Sequence, residues 1–182
     1  MRALPATLAC LVLLAVAATA LAQTVDVCAT PVAGVSCSAG NGRQTPGGNG
    51  SVSHAGWPAV TGVLRQADDG GRALGGGAAN DELLGGHGSD HLVGGTGDDI
   101  LWGDKNPTAN NTWQRDVLSG GAGNDWIYPS HGTNTVRAGT GGDHVKAYYG
   151  HGTIDCGPGY DTAQVRMNGA YRLANCEHVV HF

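Results

Sequence analysis

A nine-residue period runs through residues 76–164, and it constrains the fold more than any other feature of the chain. The copies are 76–84 (GGAANDELL), 85–93 (GGHGSDHLV) and 94–102 (GGTGDDILW), then, after an interruption, 120–128 (GGAGNDWIY), 129–137, 138–146 (AGTGGDHVK), 147–155 and 156–164 (CGPGYDTAQ). Positions one to six are rich in glycine, which admits positive φ without a Cβ clash and so permits a tight turn. Position eight is Leu83, Leu92, Leu101, Leu118, Ile127, Val136, Val145, Ile154 and Ala163, apolar throughout. A short strand must point that side chain into a shared interior. A glycine-rich linker, the alternative for a chain with 32 glycines and one phenylalanine, has no reason to keep an apolar residue in register every nine positions.

Position six carries Asp or Asn in seven of these eight copies. A turn whose carbonyl oxygens point inward, beside one carboxylate, offers oxygen ligands to a hard cation. Calcium takes roughly six to eight oxygens at about 2.3–2.6 Å, more than one turn supplies, whereas two turns stacked in adjacent coils suffice. The pattern resembles the hemolysin-type, or RTX, nonapeptide GGxGxDxUx, in which U is a large aliphatic residue. The resemblance implies an all-β fold, a right-handed parallel β-roll with calcium-binding turns, two nonapeptides per coil, and Ca²⁺ as the bound ion.

Alternate nonapeptides fall on the same edge of such a roll. Residues 103–119 read as one repeat carrying an eight-residue insertion. The first edge then holds Asp81, Asp99, Asp125, Asp143 and Asp161, and the second holds Asp90, Asp116, Asn134 and Gly152. The expected metal ligands are Asp81, Asp90, Asp99, Asp116, Asp125, Asp143 and Asp161. About four shared calcium ions are expected along the first edge, and at most one on the second, between Asp90 and Asp116. Closely spaced carboxylates repel one another and short coils bury little apolar surface, so folding should depend on the ion.

Residues 1–22 read as a secretory signal peptide, with an apolar run over residues 8–21 and Ala20-Leu21-Ala22 before the cleavage point. That run is short against the roughly 20 residues of a spanning helix, so membrane insertion is not expected. Cleavage removes one of ten basic residues and leaves nine against fifteen acidic ones. This acidic balance argues against nucleic acid as a partner. Four cysteines remain, Cys28, Cys37, Cys156 and Cys176, an even count that suits an exported, disulfide-bonded protein. Proximity favours Cys28–Cys37 and Cys156–Cys176, the latter folding a final strand over the open end of the roll. The expected organisation is a signal peptide (1–22), a flexible segment with a local disulfide (23–66), the roll (67–164) and a carboxy-terminal cap (165–182). Leu64 and Leu74 are expected in the aliphatic slot of degenerate coils.

Other features compete for a function. His87, His131 and His151 share the second edge, where three imidazoles could bind zinc, although exposed turn residues are the plainer reading. Trp102 and Trp126 flank position eight and should point out of the roll. Either Trp113 folds back to cover them, or they offer an extracellular polysaccharide a stacking surface. No nucleophile elbow, phosphate loop or dinucleotide fingerprint is present, and the surplus acids Asp68, Asp69, Asp98 and Asp155 have no evident base partner. The sequence therefore predicts a secreted, non-enzymatic calcium-binding protein. The alternatives are a carbohydrate-binding or adhesive roll and a small polysaccharide-acting enzyme.

Overall fold

The structure, a computed structural model, describes residues 33–39, 56–104, 113–168 and 170–182. Every regular element among them is a strand: β1 (Val35–Ala39), β2 (Val63–Ala67), β3 (Ala73–Ala78), β4 (Glu82–Leu84), β5 (His91–Thr96), β6 (Ile100–Trp102), β7 (Arg115–Ala122), β8 (Trp126–Tyr128), β9 (Thr133–Thr140), β10 (His144–Ala147), β11 (His151–Asp155), β12 (Thr162–Val165), β13 (Tyr171–Ala174) and β14 (His178–His181). From β2 onward the chain alternates between two sheets. Even-numbered strands form one and odd-numbered strands the other, and neighbours within each sheet are parallel. This is the parallel β-roll that the repeat period implies. No helix among the described residues is long and apolar enough to cross a membrane.

Register follows the period. Leu83 pairs with Leu101, and Val136 with Ile154, one coil of eighteen residues apart. The step widens where β5 meets β7 and β6 meets β8, aligning Leu92 with Leu118 and Leu101 with Ile127. One repeat therefore carries the whole insertion, and the coils on either side of it stack directly. The position-eight side chains are all buried. They form one core with Leu74, Ala138, Ala147 and Val165, a single aliphatic row held between the sheets.

Both ends of the roll differ from what the period alone suggests. At the amino-terminal end β1 pairs antiparallel with β2, from Val35 opposite Ala67 to Ala39 opposite Val63, so the main-chain groups on that edge of β2 are used. Leu74 occupies the aliphatic slot opposite Leu92. Leu64 does not: it stands opposite Glu82, leaving Arg65 opposite Leu83, because strand alternation sends Leu64 to the other face. At the carboxy-terminal end the Cys156–Cys176 disulfide is present, with Cα atoms 5.2 Å apart. The strands beside it close that end: β13 and β14 lie over the last nonapeptide coil as a further parallel coil, placing Leu173 beside Ile154 and Val179 beside Ala163. Cys37 is also disulfide-bonded, while Cys28 and residues 1–22, where a signal peptide is expected, lie outside the described residues.

The outer face of the even-numbered sheet is covered. Leu84, Ile100, Trp102, Trp126 and Tyr128 project from it and are buried against Trp57 and Val60. Trp57 Nε1 donates to Tyr128 Oη at 2.8 Å, and the Trp102 ring stacks on Tyr128 at 4.1 Å. Trp102 and Trp126 thus point out of the roll as expected, but Trp57 and Val60 cover them. Trp113 is 89% exposed and does not fold back onto them. With both rings buried, the motive for a polysaccharide-stacking surface is lost.

Candidate metal centre

The first edge is built of five turns of similar conformation. Position two is a left-handed glycine in each: Gly77, Gly95, Gly121, Gly139 and Gly157, with φ of 119, 120, 121, 127 and 93°. Position four is left-handed in four of them, at Ala79, Gly97, Gly123 and Gly141. Packing as well as φ demands glycine here. A Cβ on Gly95, Gly121, Gly139 or Gly157 would strike the position-two carbonyl of the preceding coil, and the position-four glycines meet the same obstacle. Two columns of main-chain oxygens therefore run along this edge, one coil apart, or about 4.8 Å.

Beside those columns lie the position-six carboxylates, all buried. The amide of Asp81 donates to Asp99 Oδ1, Asp99 to Asp125, Asp125 to Asp143 and Asp143 to Asp161, at 2.7–2.8 Å. Asp81 Oδ1 accepts from the Val63 amide. One oxygen of each carboxylate thus ties two coils together. The other, Oδ2 of Asp81, Asp99, Asp125, Asp143 and Asp161, is buried without a hydrogen-bond partner. An ionised carboxylate left so is strongly unfavourable unless a cation balances it. In three turns that oxygen lies close against the position-one glycine, near a carbonyl of the next coil. A Cβ on Gly76, Gly94 or Gly120 would meet both the Oδ2 of its own turn and the position-one carbonyl of the next coil.

Burial holds these carboxyls protonated to unusually high pH: about 6 for Asp81 and Asp143, about 7 for Asp99 and about 8 for Asp125, with neighbouring carboxylates adding to the effect at the last three. The ladder also has a member outside the repeat phase. Glu177 Oε2 accepts the Asp161 amide at 2.9 Å, taking the place of a sixth aspartate. Its position sixteen residues beyond Asp161 hid it from a nine-residue pattern.

The second edge is built differently. Gly86 and Gly88 are not left-handed. Asp90 has both oxygens occupied, Oδ1 by the Arg72 amide at 2.7 Å and Oδ2 by the Gly86 amide at 2.9 Å. Asp116 accepts the Asp90 amide through Oδ1 and the Gln114 side chain through Oδ2. Beyond them the carboxylates give way to neutral bonding. Asn134 Nδ2 donates to the Ser130 carbonyl and to Tyr171 Oη, which in turn donates to the Tyr149 carbonyl. His131 stacks on Tyr149 at 4.4 Å.

Among the described residues, no three His, Cys, Asp or Glu side chains converge on a metal position. That removes the reading in which His87, His131 and His151 share a zinc ion. It also means that any ion at the first edge must draw on main-chain oxygens beside its aspartates, and the two carbonyl columns provide them. The oxygen-only donor set, the orphaned Oδ2 atoms and the carbonyls close beside them fit a hard cation such as calcium.

Comparison with known proteins agrees. The family model for the RTX calcium-binding nonapeptide repeat matches residues 75–106 and 112–145, in four copies. No curated protein and no solved structure matches the chain. RTX nonapeptides bind Ca²⁺, and residues 75–106 and 112–145 of this roll match that calcium-binding repeat.

Proposed function

We propose that this is an exported, non-enzymatic protein whose roll folds around calcium ions held on its first edge, in a structural or surface role. Asp81, Asp99, Asp125, Asp143 and Asp161 would supply the carboxylates, and the position-two and position-four carbonyls the neutral oxygens. The observation carrying this reading is the row of five buried Oδ2 atoms without partners, an arrangement that an ion between each adjacent pair of turns would balance. Bound there, calcium neutralises the row and adds its binding free energy to folding. Export is supported by the Cys156–Cys176 disulfide and by the apolar segment at residues 8–21. A non-enzymatic role is supported by the use of the buried acids along both edges as hydrogen-bonded ladder members.

Calorimetric titration of the chain lacking residues 1–22 with calcium tests the proposal. About four ions per chain, lost in pairs when an interior ladder aspartate is removed, are expected. A stoichiometry of one or none refutes it.

A further inference from the structure

The turn that carries the insertion breaks the nonapeptide rule in a specific way. Gly103 holds position one, Asp104 stands at position two, Gln114 at position four and Asp116 at position six. Two side chains thus replace the glycines found at those positions in the preceding turn of this edge, Gly86 and Gly88. Asp104, Gln114 and Asp116 are all buried. They converge on one point: Gln114 Nε2 lies 2.5 Å from Asp104 Oδ1, 3.4 Å from Asp116 Oδ2 and 3.3 Å from the His131 carbonyl. Three oxygens, two of them carboxylate, surround a group with only two hydrogens to give. Meanwhile Gln114 Oε1 and Asp104 Oδ2 are buried with no hydrogen-bond partner. Turning the amide about its last torsion exchanges nitrogen for oxygen at the same place. The result is a four-oxygen cage, two carboxylates, one amide and one carbonyl, with a charge of minus two.

We infer that this cage is a second kind of divalent-cation site, in which the side chains of Asp104, Gln114 and Asp116 with the His131 carbonyl do what glycine-turn carbonyls do on the first edge. Such a donor set suits calcium with water completing the shell. The inference rests on the calcium-binding reading but adds Asp104 and Gln114, which stand where the nonapeptide has glycine. Asp90 has no part in it, since both of its oxygens are occupied by amides.

Native mass spectrometry of the folded chain in calcium, before and after a graded chelator wash, tests it. The wild type should carry one ion more than Asp104→Asn, and Asp99→Asn should lose ions without affecting this one. Gln114→Glu, which adds a third carboxylate, should keep its ion at chelator levels about tenfold higher than those that strip it from the wild type. Equal ion counts in the wild type and Asp104→Asn would overturn the inference. So would a Gln114→Glu chain that gains no retention and melts lower in calcium, because the amide would then be only a donor closing a metal-free turn. If Asp104→Asn does not fold, terbium replaces calcium. Emission excited through Trp113, the neighbour of Gln114, should fall in Trp113→Phe, and emission unchanged by that substitution would overturn the site. A wild type without any ion is a separate outcome, since it removes the first-edge reading as well.

Discussion

The two edges of the roll begin from the same nonapeptide and solve the burial of an aspartate in opposite ways. On the first edge each carboxylate spends one oxygen on the preceding coil's amide and leaves the other bare. On the second edge Asp90 has both oxygens filled by amides, and from Asn134 onward an amide–phenol network replaces carboxylates altogether. What separates them is backbone conformation. A left-handed glycine at position two accompanies every bare oxygen, with a left-handed position four in four of the five turns, and neither Gly86 nor Gly88 is left-handed in the turn of Asp90, whose oxygens are satisfied. On the proposed reading, a position-six aspartate would mark a calcium site only where position two of its turn is left-handed.

The largest expected effect is collective and belongs to the first edge. Carboxyls raised to about 6–8 in the folded, metal-free chain bind more protons than in the unfolded chain above their ordinary range near 4. Metal-free stability should thus fall steadily as pH rises from about 4 through 8, while calcium affinity rises over the same window as the ion displaces those protons. Thermal melts in chelator across that range check the sign. Stability rising with pH would contradict the burial of unpaired carboxyls.

Asp125→Ala should remove the two ions that Asp125 shares with its neighbours. At calcium a hundredfold above Kd this costs about 5 kcal/mol, each ion contributing about 2.7. Asp90→Asn should release none, and calorimetry on the two variants sets the edges side by side. Trp57→Ala strips the cover from Trp102 and Tyr128 and should destabilise by about 3–5 kcal/mol, with ion number unchanged. Ion loss in that variant would tie the outer cluster to the metal edge. The smallest effect is Tyr171→Phe, which removes the hydroxyl shared by Asn134 and the Tyr149 carbonyl. A loss of about 1 kcal/mol, equal with and without calcium, marks the second edge's carboxy-terminal half as metal-independent.

Much of this was legible in the sequence because period and burial coincide. The row from Leu83 to Ala163 and the ladder from Asp81 to Asp161 follow directly from counting in nines, and the stacking across the insertion matches that count. What the period does not encode was harder to see. Glu177 lies out of phase, and Asp104 and Gln114 sit where the pattern expects glycine. The cover over the even-numbered sheet left a trace that counting in nines passes over. Along β4, β6 and β8, positions seven and nine are large and apolar at Leu84, Ile100, Trp102, Trp126 and Tyr128, with Glu82 the exception, but polar or smaller at His91, Val93, Val117, Ser119, Thr135 and Arg137 in the other sheet and at His144, Lys146, Thr162 and Gln164 farther along the same one. Comparing alternate repeats reveals one sheet face that needs a lid and one that does not. The lid itself, Trp57 and Val60, carries no repeat and is assigned only by the tertiary packing.

Circular dichroism of the chain lacking residues 1–22, recorded in calcium and then in excess chelator at pH 7.5, bears most directly on the role of the first edge. Strand signal that collapses on chelation and returns when calcium is restored is the predicted result. Strand content and melting temperature unchanged by the chelator would show that the bare carboxylates need no ion, and the account would fail.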